Sequence, residues 1–395
     1  MITNSNIKHN NMKKYICLFI ILFLIVYQIK AQKDNRFFEL TFHITSPSLP
    51  DDSSLYICGN LPQLGNWNPS AVKMKNSGNH TWSLKIKTDV TFPIEYKYTL
   101  GSWLREGAEA NGRPFSNFTV KAGCDTVIND VVLFWLNGIK KEIAGKITGT
   151  VKYHTGLRNN DVPDHQIIVW LPPDYGKNSH KRYPVLYMQD GQNLFDPATS
   201  AFGVDWKIDE TCDSLIRNKI IDPLIVVGIY NTSERMTEYT PGQKGTAYMK
   251  FVVNTVKPFI DKNYVTYASR EYTFAGGSSA GGTISFMLAW NYPNVFSKAI
   301  CMSPAFKIMN IDLVKEISDY SGLKKDLVFY FDIGGKGLEE RLRPGIDEMI
   351  KALEDIGYIK NKDIFWFSIP EAVHNETAWA KRMPEALKII MQMDK

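Results

Sequence analysis

Ser279 stands in the run Gly277-Ser278-Ser279-Ala280-Gly281, a G-x-S-x-G arrangement. Before it an apolar, strand-like run from Tyr272 to Ala275 halts at glycines; after it Ile284-Ser285-Phe286-Met287-Leu288-Ala289-Trp290 can continue as a helix. A serine at the tip of a strand, turn and helix is held in a strained backbone conformation that exposes its hydroxyl. The positions two before and two after it must be nearly free of side chain so that strand and helix can approach. The spacing therefore selects Ser279, not Ser278, as a nucleophile for acyl transfer. A serine hydroxyl needs a base, and of seven histidines only His374 follows it in the chain. An imidazole suits that work because its unperturbed pKa, about 6.5, permits proton exchange near neutrality. A carboxylate must then fix its tautomer and stabilise the imidazolium.

These groups need a scaffold that brings them to one edge. From about residue 144 to 395, apolar strand-like runs alternate with helical patterns. Strands are expected at Ile147–Val151, Gln166–Leu171, Pro184–Met188, Leu224–Ile229 and near 272–276, 298–302, 327–332 and 364–369. Helices are expected over roughly 206–219, 246–261, 280–291, 340–356 and 377–391. Such interleaving predicts an α/β fold, a mostly parallel sheet covered on both faces, and about 250 residues make a full α/β-hydrolase. A sheet of this kind places its chemistry beyond the carboxyl ends of its strands. After Tyr187-Met188 comes the polar loop Gln189-Asp190-Gly191-Gln192-Asn193. In this fold the oxyanion hole is made by the N–H after the nucleophile, here Ala280, and one from the loop after the third strand, for which Gln192 is chosen. The fold's order of serine, acid and histidine fits His374, which directly follows the last strand. It also puts the acid near the end of Leu327-Val328-Phe329-Tyr330-Phe331. Glu339 is the choice, with Glu340, Asp332 and Asp347 behind it and Asp332 still inside the strand.

At 395 residues, 44% hydrophobic and 22% charged, the chain is globular and long enough for two domains. Its formal charge of +5 misleads: residues 1–31 hold Lys8, Lys13, Lys14 and Lys30 and no acid, leaving +1 for the remainder. That balance gives no support to nucleic-acid binding. Met12-Lys13-Lys14, then an apolar run from Ile16 to Tyr27, then Ala31, read as a signal peptide cut after about Ala31. Export, with no stable membrane insertion after cleavage, is the expectation. Of the remaining cysteines, Cys58, Cys124, Cys212 and Cys301, no close spacing suggests a metal site. Buried free thiols are the default, and Cys58–Cys124 is the one bridge to look for.

The first half reads differently. Between about residues 36 and 135, short period-two runs such as Phe38–Ile44, Trp82–Ile86 and Ile94–Tyr98 are broken by Gly, Pro, Asn and Asp clusters, which predicts an antiparallel β-sandwich. Gly59-Asn60-Leu61-Pro62-Gln63-Leu64-Gly65-Asn66-Trp67-Asn68, then Trp82, Ile94-Glu95-Tyr96-Lys97-Tyr98 and Gly101-Ser102-Trp103, resemble the starch-binding modules of carbohydrate-binding family 20. The resemblance implies that Trp67 and Trp103 form a platform for glucose rings and that Lys97 bonds sugar hydroxyls; Trp82 matches a core position. Packing apolar sugar faces on indoles is sound chemistry. The family usually has an acid directly after the second platform tryptophan; here Leu104 follows, and the nearest acid is Glu106.

The second half resembles the esterase family that includes esterase D, enterochelin esterase and feruloyl esterases. The matching stretches are Tyr187-Met188-Gln189-Asp190-Gly191-Gln192-Asn193-Leu194-Phe195-Asp196, Val226-Val227-Gly228-Ile229, Glu234-Arg235 with Glu238-Tyr239-Thr240-Pro241, the run ending at Gly282, and His374-Asn375-Glu376 with Trp379. Members often carry an acid three residues after the glycine ending the seventh strand, where this chain has Gly337. The resemblance implies a serine carboxylic-ester hydrolase needing neither metal nor organic cofactor. Trp206, Arg235, Glu238, Tyr239 and Trp379 are candidate substrate contacts. Joined to a sugar-binding sandwich, an exported esterase suggests esters on or near carbohydrate. A siderophore or other small ester, and a catalytically silent carbohydrate-binding protein, are the alternatives.

Overall fold

The computed structural model describes residues 37–136, 145–177, 181–308 and 311–391, except Thr91, residues 111–113, Ser116, Ala122 and Phe202. The leader expected over residues 1–31 and the polar joint Gly138-Ile139-Lys140-Lys141 lie outside the described residues. Among the described residues no helix is long and apolar enough to cross a membrane. The chain divides into two units, Met1–Lys140 and Lys141–Lys395.

In the first unit the alternation sorts side chains between a core and an outer face. Phe38–Thr45 buries Phe38, Leu40, Phe42 and Ile44 and turns the residues between them outward. One four-stranded sheet runs Lys75–Gly78, Thr81–Thr88, Phe38–Thr45, Thr126–Val131; the other runs Val72–Lys73, Tyr56–Gly59, Ile94–Thr99, Phe118–Val120. Phe42 of the first meets Tyr96 of the second edge to face at 4.9 Å. Trp82 is core, its indole N–H donating to the Ser53 carbonyl at 3.0 Å. One pair departs from the antiparallel expectation: Phe38–Thr45 and Thr126–Val131 run parallel. Alternation is a property of a single strand and carries no information about the direction of its partner. The Cys58–Cys124 bridge is corrected too, because Cys58 is buried, Cys124 is exposed and both thiols are free.

The second unit is built on one eight-stranded sheet: β1 (Thr150–Leu157), β2 (His165–Leu171), β3 (Val185–Gln189), β4 (Ile225–Ile229), β5 (Thr273–Ser278), β6 (Lys298–Met302), β7 (Val328–Gly334) and β8 (Ile364–Ile369). Their order across the sheet is β1-β2-β4-β3-β5-β6-β7-β8. β1 and β2 pair antiparallel, as do β2 and β4; from β4 onward every pair is parallel. Among the described residues the α-helices of six residues or more are α1 (Ile208–Arg217), α2 (Gln243–Phe251), α3 (Lys257–Asn263), α4 (Ala280–Asn291), α5 (Leu313–Ser318), α6 (Leu338–Asp355) and α7 (Glu376–Met391). β3, β4 and β5 are buried at every residue, as apolar runs covered on both faces must be. Alternate residues of β3 feed opposite cores, Val185 and Tyr187 one, Leu186 and Met188 the other. The chain leaves β3 for β4 on one side and returns to β5 on the other. The carboxyl ends of β3 and β5 therefore flank the crevice where a sheet of this kind binds ligands.

Candidate active site

Between β5 and α4 the backbone of Ser279 has φ 55° and ψ −127°, outside the regions where an L-residue is comfortable. Its amide donates to the Met302 carbonyl at 2.8 Å, tying the turn to the end of β6. The motif glycines are compelled by contact. A Cβ on Gly277 would lie 2.5 Å from the Gly281 carbonyl oxygen, and one on Gly281 would lie 3.1 Å from Asp190 Oδ2. Ala280 is the first residue of α4, so its N–H has no acceptor within the helix and points out at the turn.

The loop after β3 is locked from one side. Asp190, at φ 58°, receives a two-pronged bond from Arg235, Nε to Oδ1 and Nη2 to Oδ2, each 2.7 Å, and a further bond from Asn231 Nδ2. The Asn231 amide donates to Gln192 Oε1 at 3.2 Å. Within the turn the donors are Asn193, to the Asp190 carbonyl, and Leu194, to the Gly191 carbonyl, so neither bond uses the Gln192 amide.

His374 lies in the loop between β8 and α7, at the same carboxyl edge as Ser279. Its Nδ1 is 3.4 Å from Glu339 Oε1. Its ring meets Trp379 edge to face at 4.9 Å, and Trp379 packs on Trp206 at 5.4 Å. Glu339, at the start of α6, has no exposed surface. Burial pushes its carboxyl up, yet His374, the Ser303 hydroxyl and the Arg382 guanidinium together hold it below the ordinary value of 4.5. The other acids are placed elsewhere. Asp332 lies in β7, 3.2 Å from Arg382 Nη1, and accepts from the Tyr330 hydroxyl; burial pushes it up to about 6. Glu340 is exposed, and Asp347 is 3.5 Å from Arg343.

Several expected substrate contacts prove internal. Glu238 and Tyr239 are fully buried, Glu238 against His165 Nε2 at 3.2 Å, and Trp206 is 1% exposed. Arg235 is engaged by Asp190. Sequence reasoning missed Ser303, Asn231 and Arg382; for Ser303 the available signal was a polar residue just past the carboxyl end of β6. Outside the crevice, Asp205, Asp209 and Glu210 bring carboxylate oxygens within 4.8 Å of one another, the donor type a hard cation would take. Burial, then Glu210, pushes Asp209 up to about 8, so at neutral pH a proton meets the same need.

In the first unit Gly65, Asn66 and Trp67 hold φ of 73°, 47° and 65° in succession, leaving Trp67 half-buried. Trp103 is 39% exposed. Lys97 Nζ is 2.7 Å from the buried Glu106, the acid three residues beyond Trp103.

Residues 163–389 match the family described as "Putative esterase", more than half of the chain. The chain belongs to that esterase family. Residues 37–127 match the starch binding domain family. The esterase is 28% identical over 228 residues to "Uncharacterized protein YjcH" of Bacillus subtilis (strain 168), covering 56% of this chain and 89% of that one. It is 34% identical over 111 residues to an amylopullulanase of Thermoanaerobacter thermohydrosulfuricus, covering 27% of this chain and 8% of that enzyme. The solved structure of a ferulic acid esterase shares its fold with a TM-score of 0.51 and 18% identity, over 63% of this chain and 100% of that one. The protein is thus a carboxylic ester hydrolase of the α/β-hydrolase fold with an N-terminal domain of the starch-binding family.

Proposed function

We propose that this esterase is an exported serine hydrolase of esters on or near carbohydrate, with Ser279 as nucleophile, His374 as base and Glu339 as acid. Ser279 Oγ bonds to the ester carbonyl carbon as its proton passes to His374. The backbone N–H groups of Ala280 and Gln192 hold the developing oxyanion. The carbon–oxygen bond to the alcohol then breaks, with His374 returning the proton to the leaving oxygen, and water repeats the sequence on the acyl-enzyme. The observation that carries this reading is the strained Ser279 turn at the sheet edge that also bears the His374–Glu339 pair, 3.4 Å apart. The leader expected from the sequence over residues 1–31 supports export, and Trp67, Trp103 and Lys97 are proposed to bind the sugar. The test measures full-length wild type and Ser279→Ala on p-nitrophenyl acetate and on a panel of acetyl, feruloyl and small cyclic esters. Loss of all hydrolysis in Ser279→Ala is expected. Retained hydrolysis overturns the catalytic assignment, and a preference for non-carbohydrate esters overturns the substrate class.

A further inference from the structure

Ser303 directly follows β6, one residue past the carbonyl that anchors the Ser279 amide, and it is fully buried. Three groups surround its Oγ: Glu339 Oε1 at 2.8 Å, Arg382 Nη2 at 3.0 Å and Trp379 Nε1 at 3.2 Å. An indole N–H and a guanidinium N–H can only donate, whereas a hydroxyl has one proton and two lone pairs. Oγ therefore accepts from Trp379 and Arg382, and its one proton is left to Glu339. Two donors on a hydroxyl polarise it and strengthen the bond it makes to a carboxylate. The clamp closes on the backbone side, because the Ser303 amide donates to the Asp332 carbonyl and to its Oδ1, which in turn lies 3.2 Å from Arg382 Nη1. The indole that donates to Ser303 also sets its ring against the His374 imidazole.

We propose that Ser303, held by Trp379 and Arg382, is a positioning residue for the ester hydrolysis, aiming the Glu339 carboxylate at His374 Nδ1. The inference rests on Ser279 and His374 acting as nucleophile and base. The charged and titratable groups facing Glu339 are His374 from the loop after β8, Arg382 from α7 and Asp332 from β7. Removing the Ser303 hydroxyl takes a donor from Glu339 and leaves it more basic, so it draws the imidazole proton more strongly.

Ser303→Gly in the full chain removes the hydroxyl and suits the φ of 44° at this position. On p-nitrophenyl acetate from pH 4 to 9, kcat is expected to fall about tenfold with KM within about twofold, and the acidic limb of kcat/KM to rise by roughly half a pH unit or more. In the Glu339→Gln background, Ser303→Gly is expected to add almost nothing, since the two act as one unit. Trp379→Phe keeps the ring against His374 and removes only the donor, so it should shift the limb in the same direction by less. An unmoved limb, or effects of Ser303→Gly and Glu339→Gln that simply multiply, overturns the inference. Hydrolysis retained by Ser279→Ala signals instead that the catalytic assignment itself has failed.

Discussion

At the residue scale, four carboxylates lie along β7 and α6, and the residues beside each one separate their work. Glu339 is buried beside His374. Asp332 is spent on Arg382, the Tyr330 hydroxyl and the Ser303 amide; Glu340 faces solvent; Asp347 lies beside Arg343 on α6. Glu339→Gln is therefore expected to lower kcat by ~10³ to 10⁴, as loss of the orienting acid does in a serine triad. Glu340→Gln and Asp347→Asn should stay within about twofold on the same ester, surface changes of this kind being near neutral. Stability carries a second signature. Glu339 is held below its ordinary 4.5 in the folded protein, so the stabilisation it supplies is present above that value and is lost as pH falls through the folded one. Melting temperature followed from pH 6 to pH 3 should fall more steeply in wild type than in Glu339→Gln; parallel curves would count against the depressed carboxyl.

At the element scale, the β5–turn–α4 unit was legible because its chemistry is local. The glycine contacts, the serine and the apolar flanks lie within one stretch, and all of α4 except Asn291 is buried as its uninterrupted small and apolar sequence demands. Gly277→Ala tests that unit: its Cβ would meet the Gly281 carbonyl at 2.5 Å, so a large drop in melting temperature and loss of hydrolysis are expected. A stable, active Gly277→Ala would show that the turn does not depend on this close approach. What sequence could not supply is long-range. Ser303 acquires its role from partners 36, 76 and 79 residues away, and no spacing rule links them. The acid could be confined to the segment after β7, but the choice within it waits on which side chain α6 turns towards His374. The start of α1 is tied down in the same non-local way, with the Thr148 amide donating to Asp209 Oδ2. Burial first, and Glu210 after it, lifts Asp209 from an ordinary 3.8 to about 8. A raised acid stabilises the fold below its unfolded value and loses that contribution as pH rises through the folded one. Wild-type melting temperature should thus decline between about pH 5 and pH 8. Asp209→Asn, which accepts from Thr148 and can donate to Glu210 at any pH, should flatten that decline.

At the scale of the whole molecule, the two units make separable demands on one substrate. Under the proposed function the esterase unit takes an ester carbonyl in the crevice beyond β3 and β5, and the sandwich takes a sugar face on Trp67 and Trp103. Trp67 is held half-exposed by three successive positive φ values, an arrangement that costs conformational energy for a bulky residue and suggests a maintained surface. Lys97 keeps two ammonium protons beyond the one it gives Glu106, enough to bond a sugar hydroxyl. If tethering raises the local concentration of ester, its loss must appear on a polymer and vanish on a free small molecule. Trp67→Ala, and the double change Trp67→Ala with Trp103→Ala, should leave kcat/KM on p-nitrophenyl acetate within about twofold, since both residues belong to the first unit and the proposed catalytic groups to the second. Retention of the same proteins on insoluble starch should fall several-fold in the single change and about tenfold or more in the double one, taking each stacked indole as worth roughly 0.5–1.5 kcal/mol, as for a stacked aromatic pair. Release of acyl groups from an acylated insoluble glucan should fall in proportion to retention. Equal rates on that polymer for wild type and both variants would mean the sandwich does not deliver substrate to Ser279, leaving the small-ester reading in possession of the crevice.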